Sequence, residues 1–339
     1  MSSDNDRPEL SLITPMYNEE TCIESNLRKI LDALNEFPAS WEYILVDDGS
    51  VDQSCRIARE TLNSHPRCRI IHYPVNRGRG YALRQGFAAA QGQYIITTES
   101  DLSWGPGIIR KLYEELISTG NDIVVASVFH EKGGFENVPL LRRLLSKWGN
   151  RVMGWCFESN ISQFSGMTRG YRREAIQSMH LEENDKEIHL EIIGKTEALG
   201  LRISEIPATI QWSEKRAEGR IRKKLSVLRY VIPHLLSSFS QGSLKIFIAL
   251  ALFLFSIGLG FAVFGAINKI LSEAGTTKPL IVNYGLMLIL MAMVCVLFAG
   301  VSVQLWYIKK NLVHIQSQVR ALANKDDSGS EKPEDSGDS

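Results

Sequence analysis

Tyr94-Ile95-Ile96-Thr97-Thr98-Glu99-Ser100-Asp101-Leu102-Ser103-Trp104 is a short apolar, β-prone run that ends abruptly in two acids spaced i, i+2. A Gly105-Pro106 turn follows soon after. In an open α/β sheet, ligands bind beyond the carboxyl ends of the strands. Two carboxylates placed there suit a hard cation, because Mg²⁺ or Mn²⁺ binds through one or two carboxylates plus substrate phosphates. Taken alone, an acid-x-acid pair favours an ordinary solvated turn. The rest of the chain has to decide between the two.

Working outward, the segments on either side alternate between strand and helix. Leu10-Ser11-Leu12-Ile13-Thr14 reads as a first strand, and a helix from Thr21 to Leu34 carries Ile23, Leu27, Ile30, Leu31 and Leu34 on one face. Tyr43-Ile44-Leu45-Val46 is an apolar run of the kind buried in parallel sheets. Ser50 and Gln53 have the spacing of a capping box for the helix that follows, through Leu62. Arg69 to Tyr73 is a third strand, a helix ends near Ala90, and the opening stretch is the fourth strand. A helix from Gly107 to Ser118 and a strand from Asp122 to Ala126 complete the pattern. Short connections between alternating elements predict a mostly parallel, doubly wound sheet with right-handed crossovers.

The acids settle the first question. Glu19 follows strand one, Asp47 and Asp48 follow strand two, and Glu99 and Asp101 follow strand four. All of them fall on one edge of the predicted sheet, whereas turn residues needed only for solvation would be as common on the other. That edge is a site. It is not a dinucleotide or P-loop site, because Pro15-Met16-Tyr17-Asn18 stands where a glycine fingerprint would have to follow the first strand.

Composition narrows the partners. Over 339 residues, 38 Lys and Arg balance 38 Asp and Glu, so no bulk basic footprint points to nucleic acid. The five cysteines, at 22, 55, 68, 156 and 295, have no C-x-x-C spacing, which argues against a disulfide framework or zinc site and fits a reducing compartment. The N-terminus, Met1 to Asp6, has no signal-peptide pattern, so the N-terminal part is expected in the cytoplasm. Ile246 to Asn268 and the longer Leu280 to Ile308 carry no charge and are long enough to cross a bilayer. Lys223, Lys224, Arg229 and Lys245 flank one span, and Lys309, Lys310 and Arg320 the other. The positive-inside rule then puts both termini in the cytoplasm, with Trp306 and Tyr307 at the interface. Apolar residues at helical spacing between Leu225 and Gly242 predict helices lying on the membrane surface. Gly258, Gly260, Gly265, Gly285 and Gly300 could pack against a neighbouring helix, which would allow a homo-oligomer.

These motifs carry a resemblance. Pro15-x-Tyr17-Asn18-Glu19, Val46-Asp47-Asp48-Gly49-Ser50-x-Asp52, Asn76-x-Gly78-Arg79-Gly80 and an acid-x-Asp after strand four occur in this order. In order and spacing the set is similar to family-2 glycosyltransferases of the GT-A fold. Ser165 to Tyr171, the helix containing Glu191 and a late strand, Leu201 to Pro207, before a basic stretch resemble the polyprenyl-phosphate hexose synthase branch. The resemblance implies a membrane-bound, inverting hexosyltransferase. It would move a hexose from a nucleotide sugar of the GDP-mannose or UDP-glucose type to a dolichyl or undecaprenyl phosphate. Another lipid or glycan acceptor, or an inactive scaffold of the same fold, is the alternative.

Carried over by position, the resemblance implies that Pro15, Tyr17 and Glu19 contact the donor nucleotide, with Arg79 and Ser100 in the donor-binding set. Asp48, with Asp47 beside it, would read base and ribose. Asp101, with Glu99, would hold Mg²⁺ or Mn²⁺ on the diphosphate, making Asp101 catalytic together with the cation Arg142. Arg216, Arg222 and Lys223 would close a basic loop over the donor. The chain departs from the family pattern at Glu99, Ser103, Ser127-Val128, Gln163 and Met167. A lipid phosphate is anionic near neutral pH and needs no general base; Glu182, Glu183 and Asp185 are the base candidates for a different acceptor. The expected layout is a disordered N-terminus (1–8), a catalytic domain (9–222), juxtamembrane amphipathic helices (223–243) and a two-helix membrane domain (244–310). A cytoplasmic tail (311–339) follows, disordered from about Lys325.

Overall fold

The computed structural model describes residues 7–211, 247–268 and 279–329. Its first part runs β1 (Leu10–Met16), α1 (Ile23–Asn35), β2 (Trp41–Asp47), α2 (Ser54–Leu62), β3 (Cys68–His72), α3 (Arg79–Ala89), β4 (Tyr94–Thr97), α4 (Gly107–Thr119) and β5 (Ile123–Ser127). Then come β6 (Gly134–Glu136), α5 (Leu140–Cys156), β7 (Arg169–Arg172), α6 (Arg173–Ser178), α7 (Ile188–Leu199), β8 (Ile203–Pro207) and β9 (Thr209–Gln211). We label the two long C-terminal helices α8 (Phe247–Asn268) and α9 (Pro279–Gly329).

Among the described residues a seven-stranded sheet has the order β3-β2-β1-β4-β7-β5-β8. It is parallel except for β7, which pairs antiparallel with both β4 and β5. Successive side chains of a strand point to opposite faces, and here both faces are apolar. Leu10, Leu12, Tyr43, Leu45, Tyr94, Ile96, Val124 and Ala126 pack with α1, α2 and α4. Ile13, Ile44, Val46, Ile95, Ile123 and Val125 pack with α3, α6 and α7 on the other side. The sheet is doubly wound, as the alternation predicts.

Strand order locates the crevice. The chain moves outward from β1 to β2 and β3, then returns through α3 to place β4 on the other side of β1. The topological switch point therefore lies between β1 and β4, where such sheets bind ligands. Thr97 pairs with Ile13, short of the end of β1 at Met16. Glu99 to Asp101 consequently reach the carboxyl edge as a loop beside the residues that leave β1.

Several local expectations are corrected. The capping box does not form: α2 begins at Ser54, Gln53 is its N-cap without a side-chain cap bond, and Ser50 Oγ instead accepts from Asn18 N. Pro15 and Asp47 belong to strands rather than to the turns after them. Two short strands, β6 and β9, form a separate parallel ribbon. The surface helices expected between Leu225 and Gly242 lie outside the described residues.

α8 and the apolar part of α9 have mean hydropathies of 2.6 and 2.8, and only 11% and 17% of their most apolar windows are buried. A buried core helix would show the reverse, so length, composition and exposure together fit a bilayer. Gly258 and Gly285 bring the two helices together: a Cβ on Gly258 would stand 2.8 Å from Gly285 O, and one on Gly285 2.9 Å from Gly258 O. Two of the small residues expected to pack against a neighbouring helix thus do so within this chain. α9 continues as helix to Gly329, beyond Ile308, where the span was expected to end, and beyond Lys325, the expected start of the disordered tail.

Candidate active site

Loops after β1 and β2 are stitched together at the switch point. Asn18 takes a left-handed backbone (φ 53°), its Oδ1 accepts from Val51 N at 2.9 Å and its N donates to Ser50 Oγ at 3.0 Å. Glu19 N donates to Ser54 Oγ at 2.7 Å, and Glu20 N to Asp52 Oδ2 at 3.3 Å. Burial raises the Asp52 carboxyl, but hydrogen bonds from Ser54 and Glu20 outweigh it and hold the group below its usual range. Tyr17 stands 43% exposed at the rim, above the buried Pro15. The Glu19 carboxylate accepts from Cys22 Sγ at 3.3 Å.

Asp47 and Asp48 are both buried and face different partners. Asp48 accepts from Tyr73 OH (2.8 Å) and Arg77 N (2.9 Å) at Oδ1 and from Gly78 N (3.0 Å) at Oδ2. It thereby holds the Asn76–Gly80 loop against the sheet edge. Burial, and then Asp48, push the Tyr73 phenol above its ordinary range, so it stays a donor. Gly49 (φ 68°) makes this packing accessible: a Cβ there would lie 2.5 Å from Asn76 N. Asp47 Oδ1 accepts from Ser50 N at 3.1 Å, and its Oδ2 lies 2.9 Å from His72 Nδ1. Cys55 Sγ, from the first turn of α2, is 3.8 Å from the same nitrogen. Burial pushes the Cys55 thiol up, with Asp47 adding and Arg59 opposing. No spacing in the sequence marks this third pairing, which joins three elements.

The loop after β4 is tightly tied. Ser103 N donates to Asp101 Oδ1 at 2.9 Å, and Asn26 Nδ2 of α1 donates to the carbonyl of the buried Ser100 at 2.9 Å. Glu99 Oε2 accepts from Ser103 Oγ (2.8 Å) and Trp104 Nε1 (3.2 Å), while Oε1 faces Arg79 at 3.9 Å. Glu99 is thus anchored within its own loop and leans toward the start of α3. Gln211 N of β9 donates to Ser103 O at 2.7 Å, which seats the small ribbon on this loop. α5 starts just after β6, the ribbon's other strand, and Arg143 stacks over Phe135 at 5.4 Å.

α5 is unusual for a helix beside a crevice. Leu140, Leu141, Leu144, Leu145, Trp148 and Trp155 are all strongly exposed, interleaved with Arg142, Arg143, Lys147 and Arg151. Arg142 lies on this exposed surface. Glu182, Glu183 and Asp185 lie in a segment clasped between two elements. Glu182 N and Glu183 N donate to the Glu191 carboxylate of α7 (2.9 and 3.0 Å), and Gly80 N of α3 donates to Asn184 O (2.6 Å). Arg216, Arg222 and Lys223 lie outside the described residues.

Residues 11–179 match the family model of glycosyl transferase family 2. The chain is similar to dolichol-phosphate mannosyltransferase from Pyrococcus furiosus, with 29% identity over 63% of this chain and 60% of that one. It is also similar to undecaprenyl-phosphate 4-deoxy-4-formamido-L-arabinose transferase from Pectobacterium atrosepticum, with 32% identity over 52% of each chain. The chain thus spans between half and 60% of the length of these relatives. Among solved structures, glucosyl-3-phosphoglycerate synthase from Mycobacterium tuberculosis with UDP superposes with a TM-score of 0.50 at 21% identity, over 68% of this chain and 80% of that one. That likeness concerns the fold. Fold, motif order and family model agree, and through residues 11–179 the chain carries a domain of glycosyl transferase family 2.

Proposed function

We propose that this chain is a membrane-bound, inverting glycosyltransferase that moves a hexose from a nucleotide sugar to a polyprenyl phosphate on the cytoplasmic face. The observation that carries the reading is α5, with its exposed leucines, tryptophans and cations, which follows directly on β6 of the ribbon that is hydrogen-bonded to the acid loop through Gln211. A soluble acceptor gives no reason to expose that surface, whereas a lipid phosphate at a bilayer does. The names of the relatives, which act with dolichol phosphate and undecaprenyl phosphate, support the acceptor class.

In this reading Pro15, Tyr17 and Glu19 contact the nucleotide, and Asp48, with Asp47 beside it, forms the wall for base and ribose. Arg79 and Ser100 border the diphosphate. The donor set at Asp101 and Glu99 is all oxygen, which fits Mg²⁺ or Mn²⁺. When bound there, the ion neutralises charge that develops on the departing diphosphate. Asp101, with Glu99 oriented by Ser103 and Trp104, would hold the ion. Arg142, with Arg216, Arg222 and Lys223, supplies cations to the acceptor phosphate and the donor. An acceptor phosphate oxygen forms the new bond to the anomeric carbon as the bond to the diphosphate oxygen breaks. No proton has to be removed from that nucleophile.

The test uses purified full-length protein in detergent with Mg²⁺ or Mn²⁺, a panel of radiolabelled nucleotide sugars and short polyprenyl phosphates. The expected result is label in the organic phase, lost on Asp101→Asn. Nucleoside diphosphate binding without label from any donor would instead make the chain a non-catalytic scaffold.

A further inference from the structure

Asp47, placed beside Asp48 in the proposed donor wall, also meets Cys55 and His72, and donor binding does not explain that grouping. The three come from the end of β2, the first turn of α2 and the end of β3, and their ligand atoms lie within 4.8 Å of one another. Tetrahedral zinc with bonds of about 2.0–2.3 Å separates neighbouring donor atoms by roughly 3.3–3.6 Å. Here His72 Nδ1 is 2.9 Å from Asp47 Oδ2 and 3.8 Å from Cys55 Sγ. Both distances to His72 lie within an ångström of that separation, and the Asp47–Cys55 distance is within 4.8 Å, so small side-chain shifts would exchange the Asp47–His72 hydrogen bond for three bonds to one ion.

Two further features fit a built site. Asp47 and His72 face each other in register across the β2–β3 pair, so their backbones are fixed. The Asp47 oxygen turned away from His72 is held by Ser50 N at 3.1 Å, the outer-shell support that orients ligating carboxylates. A thiolate, an imidazole and a carboxylate form a donor set for a borderline cation, whereas Mg²⁺ takes oxygen ligands.

We propose that Asp47, Cys55 and His72 form a three-ligand site for a divalent cation of the Zn²⁺ class, with a fourth position open, distinct from the acids after β4. On binding, the Cys55 thiol proton goes to solvent as the metal–sulfur bond forms. The ion would pin the ends of β2, β3 and the start of α2 beneath the loop that Asp48 holds.

The experiment is a Co²⁺ titration of chelator-treated, full-length protein in detergent, without nucleotide. A near-ultraviolet thiolate-to-cobalt band should saturate at one equivalent and be displaced by Zn²⁺. It should vanish in Cys55→Ser, need more than about 10-fold higher Co²⁺ in His72→Asn, since loss of even an outer-shell partner costs about 10–100-fold in affinity, and persist in Cys22→Ser and Asp101→Asn. Absence of the band in the wild-type protein, or its survival in Cys55→Ser, overturns the proposal. Melting of Cys55→Ser in chelator separates a lost ligand from a lost fold, and the wild-type titration stands without any variant.

Discussion

Asp48, proposed above as a donor-binding residue, has a structural task of its own. Its carboxylate is saturated by two backbone N–H groups and a phenol, so in this structure it builds the Asn76–Gly80 loop. Removing the side chain leaves those donors partly buried and unpaired, at about 1–3 kcal/mol for each group that water does not reach. Asp48→Ala should therefore lower unfolding free energy by about 2–4 kcal/mol as well as weaken nucleotide binding. Asp48→Asn, which keeps one acceptor oxygen, should fall between, as read by thermal melting and nucleotide calorimetry. Tyr73→Phe gives the contrast: it removes one of the three donors and leaves the carboxylate, so melting should move by about 1 kcal/mol or less. The acid pattern was legible in the sequence, but which oxygen meets which donor was not. Tyr73 and the amides of Arg77 and Gly78 are 25 to 30 residues away, and only the fold brings them to Asp48.

Elements that repeat a strong period were readable, and elements that lack one were not. α1 displays Ile23, Leu27, Ile30, Leu31 and Leu34 at helical spacing, and all five are buried. β7 consists of Arg169-Gly170-Tyr171-Arg172, which has neither alternation nor an apolar run, yet it is the strand that joins the two parts of the sheet. Its position depends on Arg169, a fully buried guanidinium that donates to His189 O (3.1 Å) and Phe164 O (2.6 Å). Such contacts across the fold leave no local signature. α5 is the opposite case: it is rich in apolar residues, but the leucines and tryptophans at 140, 141, 144, 145, 148 and 155 are exposed. A bilayer would take up that surface, because tryptophans and cations on one helix favour the membrane interface. Trp148→Ala combined with Trp155→Ala should raise KM for a long-chain polyprenyl phosphate several-fold while leaving nucleotide affinity and melting temperature within error. Unchanged KM for both long and short acceptors would remove α5 from the lipid-facing surface.

At the scale of the whole molecule, the acid crevice and the long apolar helices are physically connected. α9 extends past its apolar part and packs against α6 and α7. Val313 is buried there, and Glu183, Glu191, Lys195, Trp306 and Lys309 line a cavity of 130 Å³ at the junction. Glu191 ties this junction to the crevice. It pairs with Lys195 at 2.7 Å and accepts from the backbone of Glu182 and Glu183, whose segment also caps the start of α3 through Asn184. Glu183 is the member whose charged form is disfavoured. Burial, then Glu191 and Glu187, raise its carboxyl above the ordinary range, and Lys309 only partly opposes them. A carboxyl whose folded pKa is raised binds its proton more tightly in the folded state. Stability is therefore undiminished below its unfolded pKa of about 4.3 and falls as pH rises through the folded value. Glu183→Gln removes that loss. Its melting temperature in detergent should match the wild type near pH 4 and exceed it at pH 7.5, with the difference opening between those values. If the variant melts lower at pH 7.5, attraction to Lys309 outweighs burial, and the segment over α3 is held in place by that charge pair.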